Sequence, residues 1–397
     1  MLIRKGENAL KKPKGSFFSK KFKLTHLIIV CLVTAALAAG LTYVLTIGGI
    51  GTKQYFDDAK AYVEIQKIIN ENYIGSVDDD ALFDAAASAM VRSINDKWSY
   101  YMSPEEYAAY KLSSANEYAG IGISVKQNDS GEFEIFAVGS GTPAEAAGLT
   151  VGQLIVSVDG QAVADMTLGE MQELIRSKLN KDFPMVVSDK KGNEVKVAVA
   201  CEIIYKDPVS SRMLDGSIGY IKIDNFEAGS SEGTISAIEK LVAEGATAFI
   251  FDVRNNPGGL LSELVSLLDY LLPDGDLFVS VDKQGNETVK TSDKICLSGK
   301  MAVLVNANTY SAAEFFAAAL QEYDWATIVG EHTTGKARSQ ITLELSNGGA
   351  VHISTHKYLT PDRVDLSEVG GIKPDIEALD TDEDPQVQLN AAITALK

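Results

Sequence analysis

Between residues 218 and 323, short apolar runs alternate with segments of helical spacing: strands at 218–223, 248–253 and 301–306, helices at 232–243, 260–271 and 312–323. Apolar runs that short read as strands buried on both faces, and strand and helix in turn predict a parallel sheet flanked by helices. A turn at Ser346-Asn-Gly-Gly joins two further strands, 340–345 and 350–356.

Upstream the rhythm differs. Residues 116–203 carry short strands at 122–126, 132–138, 154–158, 185–188 and 194–200, with an Asp159-Gly160 turn and two brief helices, the first capped by Thr142-Pro143 and the second over 167–179. That is the pattern of a compact β module inserted between what precedes and follows it. Residues 54–112 read as helices, from the spacing of Phe56, Ala59 and Val63 and of Leu82, Phe83, Ala86, Met90 and Val91. They predict a helical neck over 51–115, with a surface available for homodimerisation.

The run 27–50 contains no charged residue, and 24 helical residues at about 1.5 Å each reach roughly 36 Å, enough for a hydrocarbon core of about 30 Å. Arg4, Lys5, Lys11, Lys12, Lys14, Lys20, Lys21 and Lys23 stand before it against Glu7 alone. The positive-inside rule therefore predicts a cytoplasmic tail over 1–26, a transmembrane helix over 27–50 and everything later outside the cytoplasm, in the cell membrane's single-pass topology. Ala36-Leu37-Ala38 matches a signal-peptidase site, so a cleaved signal peptide is the alternative. With that basic tail included the net charge is still −18. So acidic a body argues against binding nucleic acid, which needs clustered cations. Three cysteines make no disulfide framework, and four scattered histidines without a ligand motif argue against a metal; no cofactor is expected.

Candidate chemistry gathers at the predicted sheet edge. Ser311 follows an apolar strand and opens a helix, where backbone N–H groups can meet an oxyanion. Ser311-Ala-Ala-Glu314 is also a capping-box pattern, and the two readings are compatible. A serine nucleophile needs a base. His332, His352 and His356 remain open, but Lys336, in a loop 25 residues on, is better placed. A lysine base must be neutral, and an uncharged amide such as Gln340 can orient it without holding its proton. Gly330-Glu-His-Thr-Thr-Gly-Lys336 matches a phosphate loop until Ala337 stands where a hydroxyl would bind magnesium, and a strand is predicted to follow instead of a helix. In the run Asp252-Val-Arg-Asn-Asn-Pro-Gly-Gly, the glycines can bring a second N–H close to a ligand at the same edge.

Taken together, these residues resemble the carboxyl-terminal processing proteases, tail-specific serine peptidases with a Ser-Lys dyad. The likeness rests on Met102-Ser-Pro-Glu-Glu-Tyr, Tyr118-Ala-Gly-Ile-Gly-Ile, the Asp252 run, the Ser311 turn, Gly335-Lys336 with Gln340, and Gly371-Ile-Lys-Pro-Asp-Ile, in that order. It implies an α/β peptidase core of the crotonase/ClpP-like kind over 204–397 and a PDZ-like domain over 116–203. It implies Ser311 as nucleophile, Lys336 as base, Gln340 as its orienting partner, and an oxyanion hole from Ala312 with Gly258 or Gly259. The N–H groups of Gly120, Ile121 and Gly122 would capture a terminal carboxylate, and the partners would be polypeptides with accessible C-terminal or unstructured segments. Three departures stand out: Gln153 where the family usually has Asp, no glycines after Arg176, and Ala337 where a glycine usually follows the lysine. The alternative function is a catalytically silent PDZ scaffold.

Overall fold

The computed structural model describes residues 24–47, 53–128, 130–189, 191–215, 217–293 and 296–397, which divide into two units at Leu82/Phe83. The first unit holds the helices Leu24–Ile47 and Lys53–Asn72. Residues 1–23 of the expected tail, 48–50 of the expected span and 51–52 of the expected neck lie outside the described residues. Within the first helix, side chains are described for 28–39, all exposed, which is about 18 Å of helix. Among the described residues no helix is long and apolar enough to cross a membrane.

In the second unit the expected parallel sheet forms. Strands Ile218–Ile223, Ala248–Asp252, Lys300–Val305, Ala326–Gly330 and Ile376–Glu377 run parallel, and Val209–Leu214 adds an antiparallel edge. The period-two alternation of a strand sends Ile221, Phe249, Phe251 and Val303 to one face and Tyr220, Ile250, Ala302 and Leu304 to the other. Helices Ser230–Ala243, Leu261–Leu271 and Ala312–Glu322 cover the first face, while Val387–Ala395 covers the second.

A second, antiparallel sheet was only half visible in the sequence. The expected pair, Arg338–Glu344 with Ala350–Leu359, is joined by the hairpin Gly275–Val281 and Glu287–Ser292 and by the short strand Tyr100–Met102. The reading of 54–112 as helix throughout is therefore corrected at 100–102: Tyr101 and Met102 are buried against Val351 and Ala350. The helix Ala312–Glu322 bears on strands of both sheets, Gly275–Val281 and Ala326–Gly330, and is buried all round from Ala312 to Leu320. Its run of alanines gives it the slim outline that a helix without a solvent face needs.

The inserted module is a seven-stranded sheet with its own core, including Phe133, Ile135, Val158, Met171 and Met185. Gln153 serves there as a turn closer, its Oε1 accepting the Thr150 N–H at 2.8 Å. A groove runs between Tyr118–Val125 and the helix Leu168–Arg176, with Gly120, Ile121 and Gly122 along its rim. Cys201 is buried and free, and Cys296 is partly exposed and free.

Candidate active site

Ser311 stands where the strand Lys300–Val305 gives way to its helix, at φ 59° and ψ −129°. A non-glycine residue held at positive φ stores strain of about 1–3 kcal/mol, and such residues cluster at functional sites. What holds it is Glu314, whose carboxylate is fully buried. Its Oε2 accepts the N–H of Ser311 at 2.9 Å and that of Lys336 at 2.8 Å; its Oε1 accepts the Thr333 hydroxyl at 2.5 Å and the Gly335 N–H at 2.6 Å. The Glu314 N–H itself goes to the Ser311 carbonyl at 2.8 Å. One carboxylate thus ties together the backbones of the expected nucleophile and the expected base. The capping-box reading saw only its local half.

The loop 252–259 closes on the serine from the neighbouring strand. A Cβ on Gly258 would lie 2.8 Å from both the Ala312 nitrogen and Ser311 Cβ, so only glycine fits. Gly258 itself donates to Asn256 Oδ1 at 2.8 Å, which commits its N–H. Of the two glycines expected to face an oxyanion, Gly259 is the one whose N–H, like that of Ala312, donates to no described group. The loop is anchored from far along the chain: Arg254 pairs with Asp252 and reaches Asp380 at 2.7 Å and Gln388 at 3.0 Å, while Tyr220 donates to Asp252 at 2.6 Å.

Lys336 lies in a cleft of about 330 Å³ with Ser311, Gly258, Gly259, Gln340 and Tyr100. Its Nζ is 4.3 Å from the Trp98 ring centre and 5.7 Å from that of Tyr310, two rings stacked on each other. Burial pushes its pKa below the usual lysine value, opposed by the charges of Asp96 and Glu314 and assisted by Lys97. The direction is the one a lysine base requires. Among the described residues no hydrogen bond joins Ser311 Oγ to Lys336 Nζ. Nor does Gln340 hold the lysine as expected: its Nε2 donates to the Arg338 carbonyl and Ser354 Oγ, each at 3.0 Å. A bulge between Ser339 and Gln340 turns the amide that way.

Of the histidines, His352 lines the cleft and His332 does not. Burial, reinforced by the charge of Lys336, lowers the His352 pKa to about 4, and its Nδ1 is engaged with Thr342 Oγ1 at 2.8 Å. An imidazole so depressed is a poor general base at neutral pH. The loop holding Lys336 leads into the strand Arg338–Glu344, which removes the helix a phosphate loop needs, and Ala337 buries its methyl in the core. No group of side chains suited to a metal occurs among the described residues.

Fold and cleft are those of a serine peptidase carrying a PDZ module. Within that class the chain belongs to peptidase family S41, whose sequence profile matches residues 217–378, with a PDZ domain profile over 134–188. It is 31% identical over 359 residues to the carboxy-terminal processing protease CtpA of Bacillus subtilis (strain 168), covering 89% of this chain and 77% of that one. It is 31% identical over 298 residues to the carboxyl-terminal-processing protease of Synechocystis sp., covering 73% and 69%. The fold also matches the crystal structure of a putative S41 protease from Bacteroides fragilis, with a TM-score of 0.54 at 16% identity over 84% of this chain and 97% of that one.

Proposed function

We propose that the chain is a membrane-anchored, extracytoplasmic serine endopeptidase that cleaves unstructured or C-terminal segments of polypeptides. The observation that carries this reading is Glu314: by accepting the N–H groups of Ser311 and Lys336 together, it brings a hydroxyl and a partly desolvated amine into one cleft. In the reaction, neutral Lys336 takes the Ser311 proton as Oγ attacks the scissile carbonyl. The N–H groups of Ala312 and Gly259 receive the oxyanion. The Lys336 ammonium then protonates the leaving amine, and the freed amine activates the water that hydrolyses the acyl-serine. For this, Lys336 swings from the Trp98 face toward Ser311, and Gln340 turns so that its Oε1 accepts an N–H of the amine, leaving the lone pair free for the serine proton. The 116–203 module captures a terminal carboxylate at Gly120, Ile121 and Gly122, and the peptide adds as a strand beside 118–123.

Membrane anchoring and the outside location rest on the uncharged run 27–50 and its basic flank. Protease shaving of intact cells expressing the full chain tests them: the body should be removed and the N-terminal fragment retained in the membrane, whereas a soluble body beginning near residue 39 would identify a cleaved signal peptide. Catalysis is tested with a casein-type substrate on protein starting near residue 53. Ser311→Ala and Lys336→Ala should each abolish turnover with melting nearly unchanged. Activity persisting in either would refute the dyad, and inactivity of the parent would leave the PDZ scaffold.

A further inference from the structure

We propose that Glu227 is a specificity-determining residue of the cleft, taking the cationic side chain of an arginine or lysine close to the scissile bond. The inference rests on the reading of the cleft as a peptidase site. Glu227 is held beside the expected oxyanion loop by its neighbour Phe226, whose N–H donates to the Gly258 carbonyl at 2.8 Å and whose carbonyl accepts from Leu260 at 2.7 Å. From there its side chain lines the same cavity as Ser311, Lys336, Tyr100, Tyr110 and His352.

Its position is anomalous among the enclosed carboxylates of the chain. Asp252 has Arg254 and Tyr220, Asp365 has Arg338, and Glu314 has four donors. Glu227 Oε2 is shut off from solvent and has no hydrogen-bond partner, and no described lysine or arginine forms an ion pair with it. The charged group that faces it is Glu263, whose own Oε2 is occupied by the N–H of Ser231 at 2.8 Å and its hydroxyl at 2.7 Å. Burial first, and then the Glu263 charge, push the Glu227 carboxyl up to about 7.

A carboxyl oxygen enclosed beside a second acid is costly to the fold when the two cations of its cavity, Lys336 and Arg338, are turned to the Trp98 ring and to Asp365. A guanidinium or ammonium arriving with substrate removes that cost, because charge-assisted hydrogen bonds to a desolvated carboxylate are among the strong ones. The rest of the wall suits such a guest. Tyr100 and Tyr110 contribute aromatic side chains to the wall, a surface that attracts cations. His352, with its pKa near 4, adds no competing positive charge at neutral pH. Lys336 turns its ammonium to Trp98 and Tyr310.

The test uses matched peptides that differ only in arginine against citrulline, placed in turn at each position around a cleavage site found by sequencing casein fragments. The parent should favour arginine at one position by about tenfold or more in kcat/KM. That ratio should grow as pH rises through about 7 and Glu227 ionises, while the titration of Lys336, common to both peptides, divides out. In Glu227→Gln, which keeps the shape, the ratio should fall close to one at every pH. The same comparison by equilibrium binding to Ser311→Ala protein reads the pocket without turnover. If no peptide is cleaved yet Ser311→Ala protein still separates arginine from citrulline through Glu227, the catalytic reading fails and the pocket stands. Cleavage without a cationic preference at any position, or a preference that survives in Glu227→Gln, overturns the inference.

Discussion

Replacing Glu314 by Gln keeps the volume of the side chain and changes one oxygen into an NH2 group. Four donors converge on the two oxygens, so either orientation of the amide sets an NH2 against donors. Turned toward Ser311 and Lys336, it strands two backbone N–H groups. Turned the other way, it strands the Gly335 N–H and meets a Thr333 hydroxyl whose oxygen already accepts from Ile372 at 2.8 Å. The second arrangement is cheaper: one buried unsatisfied N–H costs about 1–3 kcal/mol, and two charge-assisted bonds become neutral ones at a loss of about 1 kcal/mol each. A net destabilisation of about 3–5 kcal/mol follows, or roughly 6–20 °C in melting temperature for a domain of this size. Activity should fall further than stability, by about a hundredfold or more in kcat/KM at a temperature where the variant is folded, because the backbones of Ser311 and Lys336 lose their common acceptor. The residual rate carries a separate signature. The Glu314 charge favours the ammonium form of Lys336, so its removal should move the rising alkaline limb of kcat/KM to lower pH. Calorimetry and a pH series on a fluorogenic peptide read all three effects. A Glu314→Gln protein that melts within about 2 °C of the parent, with kcat/KM within about threefold, would show that the shared carboxylate does not organise the site.

Trp98→Ala should admit water to Lys336 and, since burial is the leading cause of its depressed pKa, move the alkaline limb of kcat/KM to higher pH. A downward shift in that pH series would mean that attraction of the ammonium to the ring outweighs the desolvation the ring imposes. In the 116–203 module, amidating the C-terminus of a bound peptide should weaken its affinity about tenfold, on the order of 1.4 kcal/mol by titration calorimetry. Equal affinity for acid and amide would refute carboxylate capture at Gly120, Ile121 and Gly122.

Most of the parallel sheet was legible because its strands are short apolar runs with helices between them, and burial on both faces writes itself into consecutive residues. Ser311 and Lys336 could be singled out for a related reason: Ser311 opens a helix after such a strand, and Lys336 lies in the loop between two strands. What escaped depended on partners remote in sequence. Tyr100–Met102 is three residues long and is a strand only because Ala350–Leu359 is there to pair with it. Trp98, which lies over Lys336, enters the site through that same return of the chain. Glu314 looked like a capping residue because Ser311 is three positions away, whereas Thr333, Gly335 and Lys336 are not. Gln340 was assigned to the lysine from chemistry, and a one-residue bulge sends its amide elsewhere. The three histidines were left open, and it is the pairing of His352 with Tyr100 that goes with its place in the cleft.

The anchoring of the loop 252–259 also has a consequence in time. Arg254 is fixed by Gln388, which is 134 residues later in the chain. Translation at about 5–20 residues per second separates the two by roughly 7–27 s. During that interval the strands up to Ala326–Gly330 can pair and Ser311 already exists, yet the loop that would receive the oxyanion has neither Asp380 nor Gln388 to hold its arginine. The anchoring of this loop is therefore completed only once Asp380 and Gln388 have been made and have folded back onto Arg254.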